Sequence, residues 1–99
     1  MPRIEFAEPV YDDFDRFIAH MTRFAISDPE ERIAEIMQAL QILSYSPYLG
    51  RRIGRGRREL VIGRDERGYV AAYRYSPHSD VVTILAIKSQ SERGYKRRH

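Results

Sequence analysis

Five arginines fall within eight residues, Arg51, Arg52, Arg55, Arg57 and Arg58, interleaved with Gly54 and Gly56. Guanidinium groups bind phosphate or carboxylate through paired N–H donors, and glycines let a backbone approach an anion closely. A second basic cluster, Lys88, Arg93, Lys96, Arg97 and Arg98, encloses Tyr95, whose ring can stack on a base while the cations hold phosphates. The competing readings are a solvated loop that keeps a small protein soluble and a frayed tail. The Gly-Arg-Gly piece is no dinucleotide fingerprint, because no helix with the required glycine pattern follows it. Residues 1–50 hold nine acidic and four basic side chains, net −5, whereas residues 51–99 hold five acidic and thirteen basic, net +8. Such a split points to an anionic partner, and nucleic acid, a ribonucleoprotein surface or an acidic protein all fit it.

Constellations suited to bond making and breaking are thin. His20, His78 and His99 lack the pair spacing of metal ligands, and each reads more simply as structural or solvated. The carboxylate pairs Asp12/Asp13 and Glu30/Glu31 fall at helix starts, where capping and the helix dipole account for them. Tyr69, Tyr73 and Tyr75 share one face of a strand and read as core or cross-strand partners. Arg74 points the other way with Val70 and Ala72, and a lone arginine in mid-strand needs an anion or an exposed edge.

The elements that must position these groups follow from periodicity. Arg3 to Phe6 alternates and predicts a short strand that Pro9 prevents from extending. Tyr11, Phe14, Phe17, Ile18, Met21, Phe24 and Ala25 then recur at helical spacing from Val10 onward. A second helix is announced by Ser27-Asp28-Pro29-Glu30-Glu31, with Asp28 as cap, Pro29 in the first turn and Glu31 able to return the capping bond. Its apolar face is Ile33, Ile36, Met37, Leu40 and Leu43, and Ser46-Pro47 ends it. The short connection makes the two helices an antiparallel hairpin. Arg58–Ile62, Tyr69–Tyr75 and Val81–Ile87 read as strands, the first two joined by a turn between Gly63 and Gly68. The last is almost continuously apolar, which predicts cover on both faces and the centre of the sheet. The expectation is an α+β, two-layer β-α-α-β-β-β domain, an antiparallel meander backed by an α-hairpin.

The chain of 99 residues supports one domain, residues 1–99, with 42% hydrophobic and 31% charged side chains, as in soluble globular proteins. It has no cysteine, so disulfides, thiolate chemistry and zinc fingers are excluded. No run approaches the roughly 18 apolar residues of a membrane span, and the start lacks the apolar region of a signal peptide. There is no internal repeat.

In order along the chain, Ser46-Pro47-Tyr48-Leu49-Gly50-Arg51, Arg58-Glu59-Leu60-Val61-Ile62-Gly63, Gly68-Tyr69-Val70-Ala71-Ala72-Tyr73-Arg74-Tyr75, Ile84-Leu85-Ala86-Ile87-Lys88 and Glu92-Arg93-Gly94-Tyr95 resemble the RelE/ParE toxins of type II toxin–antitoxin systems, often labelled plasmid stabilisation proteins. The likeness spans essentially the whole chain through motifs that are individually short. It implies the toxin fold described above and a toxin neutralised by an antitoxin with an acidic, amphipathic C-terminal segment. It implies neither cofactor nor metal, and a cytoplasmic place of action.

Two mechanisms exist among such relatives. RelE-like members cleave mRNA in the ribosomal A site, stabilising charge on the scissile phosphate with basic groups. ParE-like members poison DNA gyrase. By the ribonuclease resemblance, Arg58, Arg74 and Arg93 would grip the RNA backbone while Tyr95 assists the chemistry. Yet Val70 stands where ribonuclease relatives have an arginine after the Gly-Tyr pair, and Gln90 replaces a second family arginine. Valine offers no charge or proton, and glutamine only neutral donors. The expectation is therefore a ParE-like inhibitor, with an mRNA interferase or an inactive homologue that only binds antitoxin as alternatives. Its target would be met by Arg51, Arg52, Arg55, Arg57 and Arg58, by Arg74, and by Lys88, Arg93, Tyr95, Lys96 and Arg97. The antitoxin would be received by Phe14, Phe17, Met21, Ile36 and Leu40.

Overall fold

The computed structural model describes residues 1–24, 28–63 and 68–89. Strand β1 (Arg3–Phe6) turns Ile4 and Phe6 to the core, and helix α1 (Glu8–Phe24) starts two residues before the expected Val10. Pro9 fits its first turn, where no intrahelical N–H is needed. Helix α2 (Pro29–Leu40) is capped by Asp28, whose carboxylate accepts the Glu30 N–H at 3.0 Å. It ends earlier than the Ser46-Pro47 stop, tightening at Gln41–Ser44 into a 3-10 turn that buries Leu43.

The remaining strands are β2 (Arg51–Gly54), β3 (Arg57–Ile62), β4 (Tyr69–Ser76) and β5 (Val81–Ser89), in sheet order β1-β5-β4-β3-β2. The fold is α+β, with a mixed sheet rather than a purely antiparallel one, because β1 runs parallel to β5. Strand β2 is an addition to the predicted four, and it moves β4 to the middle position that the sequence suggested for β5. The expected cover of β5 on both faces holds in part: Val82, Ile84 and Ile87 are buried against the helices and Val81 on the far side, whereas Lys88 is exposed. The predicted turn keeps its flanking glycines, but residues 64–67 lie outside the described part, as does Ser27 between the helices.

The helical layer closes on the sheet through Val10, Phe17 and Met21 of α1, Ile36 and Leu40 of α2, and Tyr69, Ala71, Tyr73, Val82, Ile84 and Ile87 opposite. Asp13 is also buried, and its role differs from the helix-start carboxylate read from sequence. Strand β1 stops at Phe6, opposite Ile84, which leaves the next part of the β5 edge without a strand neighbour. Asp13 fills the gap: Oδ2 accepts the Ile87 N–H at 2.8 Å and Oδ1 accepts from Arg16 at 2.9 Å. Removing the carboxylate strands a buried amide, so Asp13→Ala is expected to destabilise the protein by about 2–3 kcal/mol. Urea unfolding would register this as a lower midpoint with an unchanged slope.

Candidate anion-binding face

The β2–β3 hairpin is made by its turn. Arg55 and Gly56 both have positive φ, 54° and 73°, the requirement of a type I′ turn, whose twist suits paired strands. Arg52 pairs with Arg58 and Gly54 with Arg57, so Ile53 is an extra residue in β2 and the register shifts there. The arginine segment, for which a solvated loop is one of the competing readings, is thus a strand hairpin. Its pairing sorts the arginines onto two faces.

Arg58 lies opposite Tyr73, on the helix side of the sheet. Its guanidinium donates to the carbonyls of Tyr48 at 3.1 Å and Gly50 at 2.9 Å and stands 5.0 Å from the Tyr48 ring centroid. Tyr73, wholly buried, accepts the Gly50 N–H at 2.8 Å and donates its hydroxyl to the Pro47 carbonyl at 2.9 Å. Burial pushes the Tyr73 phenol pKa up, against smaller opposing effects of the Gly50 N–H and the Arg58 charge. Arg58 and Tyr73 together pin the segment that leads into β2. Beside them the Tyr75 hydroxyl donates to Asp80 at 2.7 Å, and this bond to a carboxylate is the main reason its pKa is pushed up to about 12.

The opposite face, open in that no helix of the described residues packs on it, carries Arg57, paired with Arg74, which is paired in turn with Thr83. Arg74 donates to the Arg55 carbonyl at 3.2 Å. Arg51 faces Glu59 across the edge and is held by it at 2.9 Å. Lys88 is exposed, opposite Val70, roughly 13 Å along the strands from the Arg74 row. Arg52 and Arg55 are exposed on β2 and at the turn.

Several expectations change at this point. Arg58 and Arg74 point to opposite faces, so the structure does not bring together the pair that an RNA grip would need. Phe17, Met21, Ile36 and Leu40 are 6%, 5%, 1% and 0% exposed, so the sheet already occupies the apolar face assigned to an antitoxin. Phe14 is half-buried and keeps some surface, flanked on α1 by the exposed Tyr11 and Ile18. Gln90, Arg93, Tyr95, Lys96 and Arg97 lie outside the described residues. Sequence reading missed Thr83 and the Arg57–Arg74 pairing, for which register was the missing signal. Among the described residues no three His, Asp or Glu groups come together as a metal site, and no helix is long and apolar enough to cross a membrane.

A helical hairpin on one side of a five-stranded sheet, with guanidinium groups on the other, defines a small α+β protein that presents a cationic face. The family model for the ParE toxin of type II toxin–antitoxin systems matches residues 4–94, and the chain belongs to that family. The sequence finds no match among curated proteins. Solved structures agree in fold. A chain of the chromosomal ParDE system from P. aeruginosa aligns with TM-score 0.70 at 20% identity, covering 90% of this chain and 96% of its own. The E. coli RelBE toxin–antitoxin complex gives 0.63 at 14% identity, with 90% and 96% covered. The RelBE2 complex from Mycobacterium tuberculosis gives 0.59 at 20%, with 90% and 99% covered.

Proposed function

We propose that this toxin arrests growth in the cytoplasm by poisoning DNA gyrase, without cleaving RNA, and that a cognate antitoxin neutralises it. The observation that carries the reading is Val70. It follows Gly68-Tyr69, where the ribonuclease resemblance calls for arginine, and it is a 5% exposed side chain on the open face. No cation can act from that position. Arg58, which the ribonuclease resemblance would set on the RNA backbone, is occupied with the Tyr48 and Gly50 carbonyls. The described carboxylates of the open face, Glu5 and Glu59, are ion-paired with Arg3 and Arg51, so neither is placed to deprotonate a 2′-hydroxyl. What the face retains is the ability to dock. Induction in a sensitive host tests this: thymidine incorporation is expected to fall before methionine incorporation, and the reverse order would contradict it.

The antitoxin reading is supported by the toxin–antitoxin complexes among the relatives and by the stripe Tyr11, Phe14 and Ile18. These residues follow helical spacing on α1, with Tyr11 58% and Ile18 40% exposed. An amphipathic segment would lay its apolar side chains here, its acidic groups reaching the exposed Arg52 and Arg55. Tyr11→Asp/Ile18→Asp is expected to weaken binding of the protein encoded next door about 10-fold or more while leaving Tm nearly unchanged. Wild-type affinity in that variant would exclude the stripe.

A further inference from the structure

Arg57 and Arg74 are direct partners across β3 and β4 on the open face, a geometry that sets Cβ atoms about 5 Å apart and makes like charges repel. Among the described residues neither has a carboxylate partner. Glu59, on the same face of β3, is held by Arg51 at 2.9 Å, and Glu5, two strands beyond Arg74, by Arg3 at 2.9 Å. The Nε of Arg57 is buried and makes no hydrogen bond. Arg74 gives one N–H to the Arg55 carbonyl, which holds its guanidinium at the hairpin end. Thr83 continues the row on β5 with a hydroxyl. Gly56 leaves the flank open, since a Cβ there would meet only the Arg74 Nε, at 3.9 Å.

We infer that the row Arg57–Arg74–Thr83 is a phosphodiester site, which takes one phosphate of a nucleic-acid strand between its two guanidiniums. A planar carboxylate presents both oxygens along one edge and fills a single guanidinium fork, whereas the two non-bridging oxygens of a tetrahedral phosphodiester diverge, so that each meets a different guanidinium with a lone pair left for the hydroxyl. Lys88, on the same face, lies where a later phosphate of the same strand would pass. The repulsion between the arginines is relieved when the anion arrives, so the site is built for occupancy rather than for stability. This goes beyond the gyrase reading and does not rest on it, because it specifies a contact between the toxin and nucleic acid itself.

The test uses the full chain and a fluorescein-labelled single-stranded oligothymidylate, followed by anisotropy across a salt series. Arg57→Gln/Arg74→Gln is expected to weaken binding about 10-fold or more at low salt. It should also flatten the slope of log K against log salt by about 0.7, the loss of one single-strand phosphate contact. Arg23→Gln, exposed on α1, should leave the slope unchanged, and wild type should lose at least as much affinity for a methylphosphonate oligomer. The double variant should melt no lower than wild type, because a repulsive pair is gone. An unchanged slope, an equal loss in Arg23→Gln, a lowered Tm, or displacement of the oligomer by polyglutamate at equal charge would each overturn the assignment.

Discussion

Tyr73→Ala is expected to leave much of the protein unfolded at growth temperature. The ring is wholly buried in the core, and truncation of such a side chain costs about 3–5 kcal/mol, against a total of about 5–15 kcal/mol for a domain. The hydroxyl adds to this, because its loss leaves the Gly50 N–H and the Pro47 carbonyl without their partner. Tyr73→Phe separates the two contributions: it keeps the packing and is expected to lose about 1–3 kcal/mol. Chemical denaturation of both variants checks the division. A near-neutral Tyr73→Phe would mean that the 47–50 segment is not held by this hydroxyl.

The second large effect is steric. A Cβ at Gly50 would stand 2.7 Å from the Glu59 carbonyl oxygen, 2.7 Å from Tyr73 Cε1 and 2.8 Å from its hydroxyl. The carbonyl belongs to the β3 backbone and the ring is locked in the core, so neither can yield cheaply. Gly50→Ala is therefore expected to cost about 3 kcal/mol, the upper part of the range for overpacking. The substitution also pushes against the Arg58 anchor, which donates to the Gly50 carbonyl at 2.9 Å, so the β2–β3 hairpin should be displaced as well. Thermal unfolding gives the loss, and amide protection across Arg51–Gly54 shows whether the hairpin has moved. A variant with wild-type Tm would mean that Gly50 has room the structure does not give it.

What the sequence made legible was local. The alternation of Arg3 to Phe6, the Asp28 cap and the Pro29 start each depend on a few neighbouring residues, and all three are found. The β2–β3 hairpin was hidden because its strands are written in arginine and its type I′ turn uses Arg55-Gly56 in place of the usual Asn-Gly. Helical periodicity marked Phe17, Met21, Ile36 and Leu40 as one apolar face, but it could not say whether a sheet or a partner covers that face. The sheet does. Parity within one strand put Arg74 opposite the tyrosines, whereas the separation of Arg58 from Arg74 required the register between two strands. Asp13 and Ile87 lie 74 positions apart, and nothing short of the folded β5 edge brings them together. The open face drew all its cations but Arg3 from the basic half of the chain, as the charge split suggested, but only the fold shows that two of them confront each other.

Docking on gyrase without RNA cleavage is the activity we propose for this ParE-family toxin. Purified chain added to gyrase, relaxed plasmid and ATP is expected to abolish supercoiling and to trap cleaved plasmid, revealed as linear DNA once the enzyme is denatured. Undiminished supercoiling with no trapped cleavage would contradict the account.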